Sequence, residues 1–488
     1  MPARAAARGR RAGPRTVSAR LSAHAALEAR TDGHLIAHFE GYALELGAFS
    51  AGAVDRALQL RTGLPLAAFT SGSPTIAQEM DRLTRRLARH GLLEYPVRGS
   101  RNADTVVIEP QLADYWPQMP PLGNAEVLAL SRFAYMRRRG DAMVLESPRA
   151  GALFRICDPK ITTVLTMLST PQRVGRLRRQ DGFPGIELLA LLVDCQILFK
   201  VDAANDGNLR PAEGDADLVL WDFHDLMFHA RSTPGRHANP LGGLYPYAGV
   251  TPAPPAVRRR WPGKKIDLRE LSPKPGQASP AARLLRERHS TRSFDDHRPI
   301  TLAELAQFLG TTAHVVSTWQ SQVDLGDARP TVAYATRPYP SAGAAYELEL
   351  YLAVEKCDGL ARGFYHYDAG GHALVPIDTG TQELAALLTE ARLSMDAPAA
   401  PQIVITIAAR FGRVSWKYSS LAYALILKNV GVLIQTLYLM ATDMGLGGCA
   451  IGSTDIDLFA KMTGIEFHVE GPVGQFALGR SAQPGASG

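Results

Sequence analysis

Cysteine is scarce in this chain. Its 488 residues include four, Cys157, Cys195, Cys357 and Cys449. No two are close enough in sequence to suggest a zinc-ligating pair or a disulfide framework. Reduced thiols, and with them a cytoplasmic setting, are the expectation. Net charge is also nearly absent once its location is noted. The formal charge of +6 is matched by six arginines, Arg4, Arg8, Arg10, Arg11, Arg15 and Arg20, in an opening stretch without an acid. The remainder is formally neutral, so the basic balance reports a tail and not a nucleic-acid surface. That tail, residues 1–18, lacks the apolar core of a secretory signal and is expected to be disordered. An uninterrupted membrane-length run is missing as well. The best candidate, near residues 420–444, carries Lys428, Asn429 and Gln435, each costly in lipid. Neither nucleic acid nor membrane is therefore an expected partner. With 46% hydrophobic and 20% charged residues, the composition is that of a globular protein, long enough for about three domains.

The amino-terminal half carries a repeated pattern. In residues 19–100, strands are expected at 35–39 and 42–46, around Glu40 and Gly41. Helices follow near 51–62 and 75–90, with Gly91 as a stop signal, and a strand closes the unit at 92–97. In residues 125–205, strands at 141–146 and 152–156, helices near 159–168 and 185–194, and a strand at 197–201 repeat that order. Leu92-Leu93 and Ile197-Leu198 are 105 positions apart, which points to an internal duplication. Each unit reads as a winged-helix-like module. The segment Asp81–Leu87 is basic, but its surroundings are not, and useful DNA affinity needs several phosphate contacts. A module of this shape can instead take a peptide as an added edge strand.

Residues 206–280 read as a helix and a linker. The helix holds Trp221, His224, Asp225 and His229. Asp225 and His229 stand at i and i+4, but a metal needs a third ligand, so a structural or substrate-facing helix is the better reading. From Thr251 to Pro280 the prolines are dense, which makes a stiff, extended connection.

The carboxy-terminal domain, residues 281–482, has several stretches of chemical interest. Arg288, Ser290 and Arg292 alternate, so two guanidiniums and a hydroxyl can converge as in a phosphate site. Thr301 and Glu304 form a capping-box pattern ahead of a helix. Pro340, Ser341, Ala342 and Gly343 are small enough for backbone to approach a flat ligand. Strands are expected at 347–354 and 402–409, with a hairpin across Gly370-Gly371. Lys417 and Tyr418 precede a long helix, near 420–444, that is apolar all round and so expected to be buried. A tyrosine beside a lysine at a helix amino end can act as a general base. Spacing alone favours an idle surface pair.

Taken in order, Arg-His-Ser-Thr-Arg at 288–292, Pro-Ser-Ala-Gly at 340–343, Lys-Tyr at 417–418, Gly-Leu-Gly-Gly-Cys-Ala-Ile-Gly at 445–452 and Leu-Gly-Arg at 478–480 resemble the nitroreductase superfamily. The closer resemblance is to its SagB/McbC-type branch of FMN-dependent azoline dehydrogenases, and within it to the long cyanobactin-type thiazoline oxidases. The implied architecture is α+β: a nitroreductase-like FMN domain preceded by two tandem winged-helix-like peptide-recognition modules. The implied activity is oxidation of thiazoline or oxazoline rings in a ribosomally made precursor peptide, in a homodimer working with a cyclodehydratase. The resemblance assigns Lys417 and Tyr418 to catalysis. It assigns Arg288, His289, Ser290 and Arg292 to the FMN phosphate and ribityl chain, with Arg480 reaching the phosphate. Pro340, Ser341, Ala342 and Gly343 fall to the isoalloxazine, and Ala450, Ile451 and Gly452 to its other side. His289 and Ala342 depart from the arginine and glycine common in relatives. The alternatives are an NAD(P)H-dependent nitro or quinone reductase and a non-catalytic scaffold that docks the peptide.

Overall fold

In the computed structural model the described residues run from 15 to 482, apart from 40, 72, 100–102, 113, 202–212, 214–215, 234–242, 244, 246, 259, 261, 272–277 and 327. Residues 1–14 of the expected tail, Glu40, most of the polar stretch at 203–215 and parts of the linker lie outside them. The chain divides into two units, Met1–Asn239 and Pro240–Gly488.

The first unit is one motif laid down twice. Strands β1 (Thr16–Leu21), β2 (Ala25–Ala29), β3 (His34–Phe39) and β4 (Tyr42–Ala48) lead to α1 (Ala51–Gln59), β5 (Leu64–Pro65), α2 (Ala67–Thr70), α3 (Pro74–Arg89) and β6 (Leu93–Arg98). After β7 (Asp104–Pro110) the order returns as β8 (Val127–Leu130), β9 (Tyr135–Arg139), β10 (Ala142–Glu146), β11 (Ala152–Ile156), α4 (Lys160–Met167), β12 (Gln172–Arg173), α5 (Val174–Leu177), α6 (Ile186–Asp194) and β13 (Leu198–Lys200). The pairing repeats as well. β1 lies between β5 and β6, as β8 lies between β12 and β13. β3 lies between β2 and β4, as β10 lies between β9 and β11.

β7 breaks the symmetry. It pairs with β6 on one side and β11 on the other, which fuses parts of both repeats into one sheet, β5-β1-β6-β7-β11-β10-β9. The two expected tandem modules are thus joined through a shared sheet. Residues 15–18 are also built into it and do not belong to a loose tail. Arg15 donates to the Phe183 carbonyl at 3.3 Å, and β1 buries Val17, Ala19 and Leu21. Beyond the repeats, α7 (Phe223–Ser232) is capped by Asp222, whose side chain accepts from the His224 amide. His229 is buried and stacks on Trp221, with centroids 5.9 Å apart. Among the described residues no cluster of three His, Cys, Asp or Glu could hold a metal ion.

The second unit contains α8 (Pro280–Glu287), α9 (Leu302–Thr312), β14 (Ser317–Gln322), β15 (Thr331–Thr336), β16 (Leu348–Val354), β17 (Gly363–Asp368), β18 (Ala373–Ile377), α10 (Thr381–Ser394), β19 (Ile403–Arg410), α11 (Gly412–Ser415), α12 (Ala422–Asp443), β20 (Gly447–Ile451), α13 (Ile456–Thr463) and β21 (Glu470–Gly479). Six strands form an antiparallel sheet in the order β18-β17-β16-β19-β21-β20, and β14 and β15 pair separately. The capping box at Thr301 and Glu304 is present, with both reciprocal hydrogen bonds formed. Helix α12 covers one face of the sheet, with the Tyr438 ring edge-on to Phe476 at 5.0 Å. Helices α10 and α13 cover the other, where Leu384, Leu388 and Phe459 pack with Tyr351, Ala353 and Phe364.

The long helix departs from its expected burial. Its length and mean hydropathy would suffice to cross a membrane, yet it lies on the sheet. Its buried positions, among them Tyr423, Ile426, Asn429, Leu433, Leu437 and Ala441, recur every three or four residues and form one stripe. The opposite side, with Ala424, Lys428, Gly431 and Val432, is exposed.

Glu390 on α10 makes the unit pH-sensitive. Burial, with Asp455 adding to it, lifts its carboxyl from 4.5 to about 7. The raised value means that the neutral form is favoured on folding. Its contribution is present below about pH 4.5 and is lost as the pH rises towards 7. Glu390→Gln is expected to raise the unfolding midpoint at pH 8 and leave it near wild type at pH 4.5, a difference on the order of 2 kcal/mol. Thermal melts at the two pH values check this; equal shifts at both would refute it.

Candidate active site

Two clusters assemble on helix α12. The first joins the turn before the helix to the loop at 340–344. The amides of Lys417 and Tyr418 both donate to the Val414 carbonyl, at 3.0 and 2.9 Å, so the pair closes the end of α11. It stands ahead of α12 and not in its first turn. Their side chains cross to Gly343, 74 positions away from Lys417 in sequence. Lys417 Nζ donates to the Gly343 carbonyl at 3.3 Å. Gly343 has φ +59°, and a Cβ built there would stand 2.3 Å from the Tyr418 hydroxyl and 2.7 Å from Lys417 Nζ. A side chain here would push the ends of the pair aside, and the left-handed backbone itself favours glycine. Both polar ends thus lie close to one spot, where a positive charge can balance a negative one.

Asn429 holds that loop in place. Its Nδ2 donates to Glu347 Oε1 at 2.8 Å and to Ser341 Oγ at 3.2 Å. Its Oδ1 accepts from the Ala342 amide at 3.2 Å. Ser341 Oγ in turn donates to Glu347 and accepts from the Tyr346 amide. Glu347 is fully buried. Burial pushes its carboxyl upwards, and the hydrogen bond from Asn429 pulls partly back. Sequence reasoning missed both positioning residues. The available signal was an amide in the middle of an otherwise apolar helix.

The second cluster joins residues 288–292 to the strand at 449–450. Tyr438 is the link. Its hydroxyl pairs with Ser290 Oγ at 2.9 Å and accepts from the Ala450 amide at 2.8 Å, while the Arg288 guanidinium lies 5.0 Å from its ring centroid. The Thr291 amide donates to the Gly448 carbonyl at 2.8 Å, an approach that a Cβ on Gly447 would block at 2.6 Å from Thr291. His289 and Arg292 are exposed. Burial raises the neighbouring Cys449 thiol, and the Arg292 charge works against that shift. Ile451 turns its side chain into the core under α10 and α13, so only its backbone faces this side; Gly452 is exposed.

Arg480 is placed otherwise than expected. Its guanidinium makes two bonds to Glu304, at 2.8 and 2.7 Å, and donates to the Arg298 carbonyl at 3.4 Å. These bonds tie it to the capping-box helix, while its own backbone carbonyl accepts from the Asp295 amide, just after residues 288–292. A cavity of about 460 Å³ opens elsewhere, on the α10 and α13 side, lined by Arg337, Glu349, Tyr351, His366, Arg410 and Glu470. Its charges are mutually compensated. Glu349 stands about 3.5 Å from Arg337 and Arg410 and 3.6 Å from His366, and Tyr351 donates to Glu470 at 2.6 Å. Neither Lys417, Tyr418 nor Gly343 lines this cavity.

Known proteins resemble both parts. Residues 285–480 match the nitroreductase family and residues 128–238 match the cyanobactin oxidase ThcOx. The putative nitroreductase MJ1384 of Methanocaldococcus jannaschii is 32% identical over 170 residues, which cover 35% of this chain and 77% of that protein. The chain belongs to the nitroreductase family. This nitroreductase-family protein is an oxidoreductase, and the segment that matches ThcOx lies ahead of its nitroreductase domain. Among solved structures, the Escherichia coli microcin synthetase McbBCD complex with truncated pro-MccB17 bound matches at 20% identity over 55% of this chain and 97% of that one, TM-score 0.36. A putative nitroreductase in complex with FMN from Desulfovibrio desulfuricans matches at 15% identity over 43% and 92%, TM-score 0.27.

FMN is the cofactor of the family. The residues present fit such a group. Arg288 and Arg292 with the Ser290 hydroxyl suit a phosphate dianion. The small residues at 340–343 let backbone come close to a flat ring, and the Lys417 and Tyr418 ends that meet Gly343 lie beside that loop.

Proposed function

We propose that this chain is an FMN-dependent dehydrogenase that converts thiazoline or oxazoline rings of a ribosomally made peptide to thiazoles or oxazoles. The observation that carries this reading is the meeting of Tyr418 and Lys417 at Gly343, in a chain that also holds a cyanobactin-oxidase segment. Arg288, His289, Ser290 and Arg292 would hold the phosphate and ribityl chain. Pro340, Ser341, Ala342 and Gly343 would lie along the ring system, and Ala450 with the backbone of Ile451 and Gly452 would close its other side. Bound FMN supplies the acceptor for a hydride. Tyr418 Oη removes the proton from the ring carbon, and the Lys417 ammonium balances charge beside that oxygen. The peptide loses two hydrogens per ring, and dioxygen is the terminal electron acceptor.

A homodimer belongs to this reading. Asn429 and Tyr438 are nine positions apart on α12, which is two and a half turns, so their clusters sit on opposite flanks of the helix. Between them lies the exposed side with Leu421 and Val432. A second copy packed there would cover apolar surface and set one cluster of each chain beside the other cluster of its partner.

The peptide is read as docking on the first unit. In the second repeat the chain's own β7 covers β11, whereas the equivalent strand β4 is an edge of its three-stranded sheet. An edge strand can accept a peptide strand, which favours the first repeat over the second. A cyclodehydratase would supply the azoline, and the free thiols fit a cytoplasmic setting.

A visible spectrum of the purified protein, before and after heat release of cofactor, tests the reading. A flavin spectrum with FMN released, followed by loss of two hydrogens per ring from an azoline peptide, is expected. Colourless protein that FMN does not reconstitute would overturn it in favour of a docking scaffold. The likeness to the putative nitroreductase supports one rival, a reductase; rapid NADPH oxidation without azoline turnover would favour it.

A further inference from the structure

The β14–β15 hairpin stands outside the main sheet. All six residues of β14 are exposed, and two strands alone are marginally stable. Trp319 and Tyr334 face each other across it. Their rings stack with centroids 5.4 Å apart and planes 16° apart, and Trp319 still keeps 44% of its surface exposed.

Two contacts fasten this stack to the candidate active site. Lys417 Nζ lies 5.9 Å from the Tyr334 ring centroid and 5.4 Å from that of Tyr418, so the ammonium sits between the two tyrosines. Arg413 donates to the Ala333 carbonyl of β15 and to the Ala345 carbonyl of the loop that carries Gly343, at 3.1 and 3.0 Å. An exposed indole is therefore linked by successive contacts through Tyr334 and Lys417 to Tyr418.

We propose that Trp319, backed by Tyr334, is a substrate-positioning platform on which the ring-bearing segment of the peptide stacks beside Lys417 and Tyr418. The proposal rests on the azoline-oxidation reading above. The azole product is a flat aromatic ring, and the azoline that precedes it presents the plane of its ring C=N; aromatic faces prefer offset stacking on one another. A pair that merely strengthens the hairpin would need only apolar contact across the strands, and that difference defines the test.

Trp319→Leu keeps an apolar cross-strand contact and removes the π-face; Trp319→Phe keeps a smaller one. With an azoline peptide, Trp319→Leu is expected to raise KM roughly 3- to 10-fold, with kcat and flavin content near wild type. Trp319→Phe is expected to recover most of the difference. Quenching of protein fluorescence by the azole product peptide should weaken in Trp319→Leu. Wild-type KM and quenching in Trp319→Leu would overturn the platform while leaving the oxidase reading intact. A parallel fall of kcat and flavin content in both variants would also overturn it, as the mark of a structural role. No turnover of azoline peptide by flavin-loaded wild type would overturn the oxidase reading itself, and the platform with it.

Discussion

Tyr418→Phe is expected to keep its bound flavin and lose nearly all turnover. The substitution removes one oxygen and little else. Tyr418 is half-buried in a turn, and its ring remains for the Lys417 contact at 5.4 Å. What disappears is the hydroxyl that reaches Gly343. A positioned proton acceptor contributes about 10²–10⁴-fold to rate, which corresponds to about 3–5 kcal/mol of barrier. The check is kcat on an azoline peptide alongside the flavin absorbance of the purified variant. Turnover at the wild-type rate would remove Tyr418 from the mechanism. Loss of flavin together with turnover would make it a cofactor contact instead.

Asn429→Ala should cost both stability and flavin affinity. It removes the donor to a fully buried carboxyl, Glu347, and the acceptor for the Ala342 amide. Stranding a buried hydrogen-bonding group costs about 1–3 kcal/mol, more when it is charged. The carboxyl of Glu347 is already raised by burial against the pull of Asn429, and without Asn429 it rises further. A raised carboxyl stabilises at low pH and loses that contribution as the pH rises. The variant should therefore melt closer to wild type at pH 5 than at pH 8, with a deficit of several degrees at pH 8. Adding Glu347→Gln should recover part of the alkaline loss. Equal melting of Asn429→Ala and wild type at both pH values would show that the amide does not hold the loop.

These two residues illustrate how differently the site could be read. Tyr418 lies in a run of motifs whose order is visible along the chain. Asn429 looked like an argument against a membrane span and nothing more. Its partners, Ser341 and Glu347, are far from it in sequence, and no local pattern links them. Arg480 shows the converse: its motif was visible, but its guanidinium is taken by Glu304, which had been read only as a helix cap.

Local chemistry determined much of this protein by itself. The capping box at Thr301 and Glu304, the strands β16 and β19, the long apolar helix and the duplication of the first unit all follow from periodicities, caps and an internal repeat visible along the chain; that β16 is buried on both faces does not, since its alternation pointed to one buried face. Tertiary structure decided the rest. β9, Tyr-Met-Arg-Arg-Arg, is a strand because it pairs with β10, since its side chains carry no strand period. β7 ties the two repeats into one sheet, and α12 buries one stripe although apolar residues ring it. Gly343 meets Tyr418 only after the sheet and helix have packed. Hydrogen-bond partners, ion-pair choice and the exposed side of an apolar helix depend on which distant surfaces come together, and local propensity does not encode that.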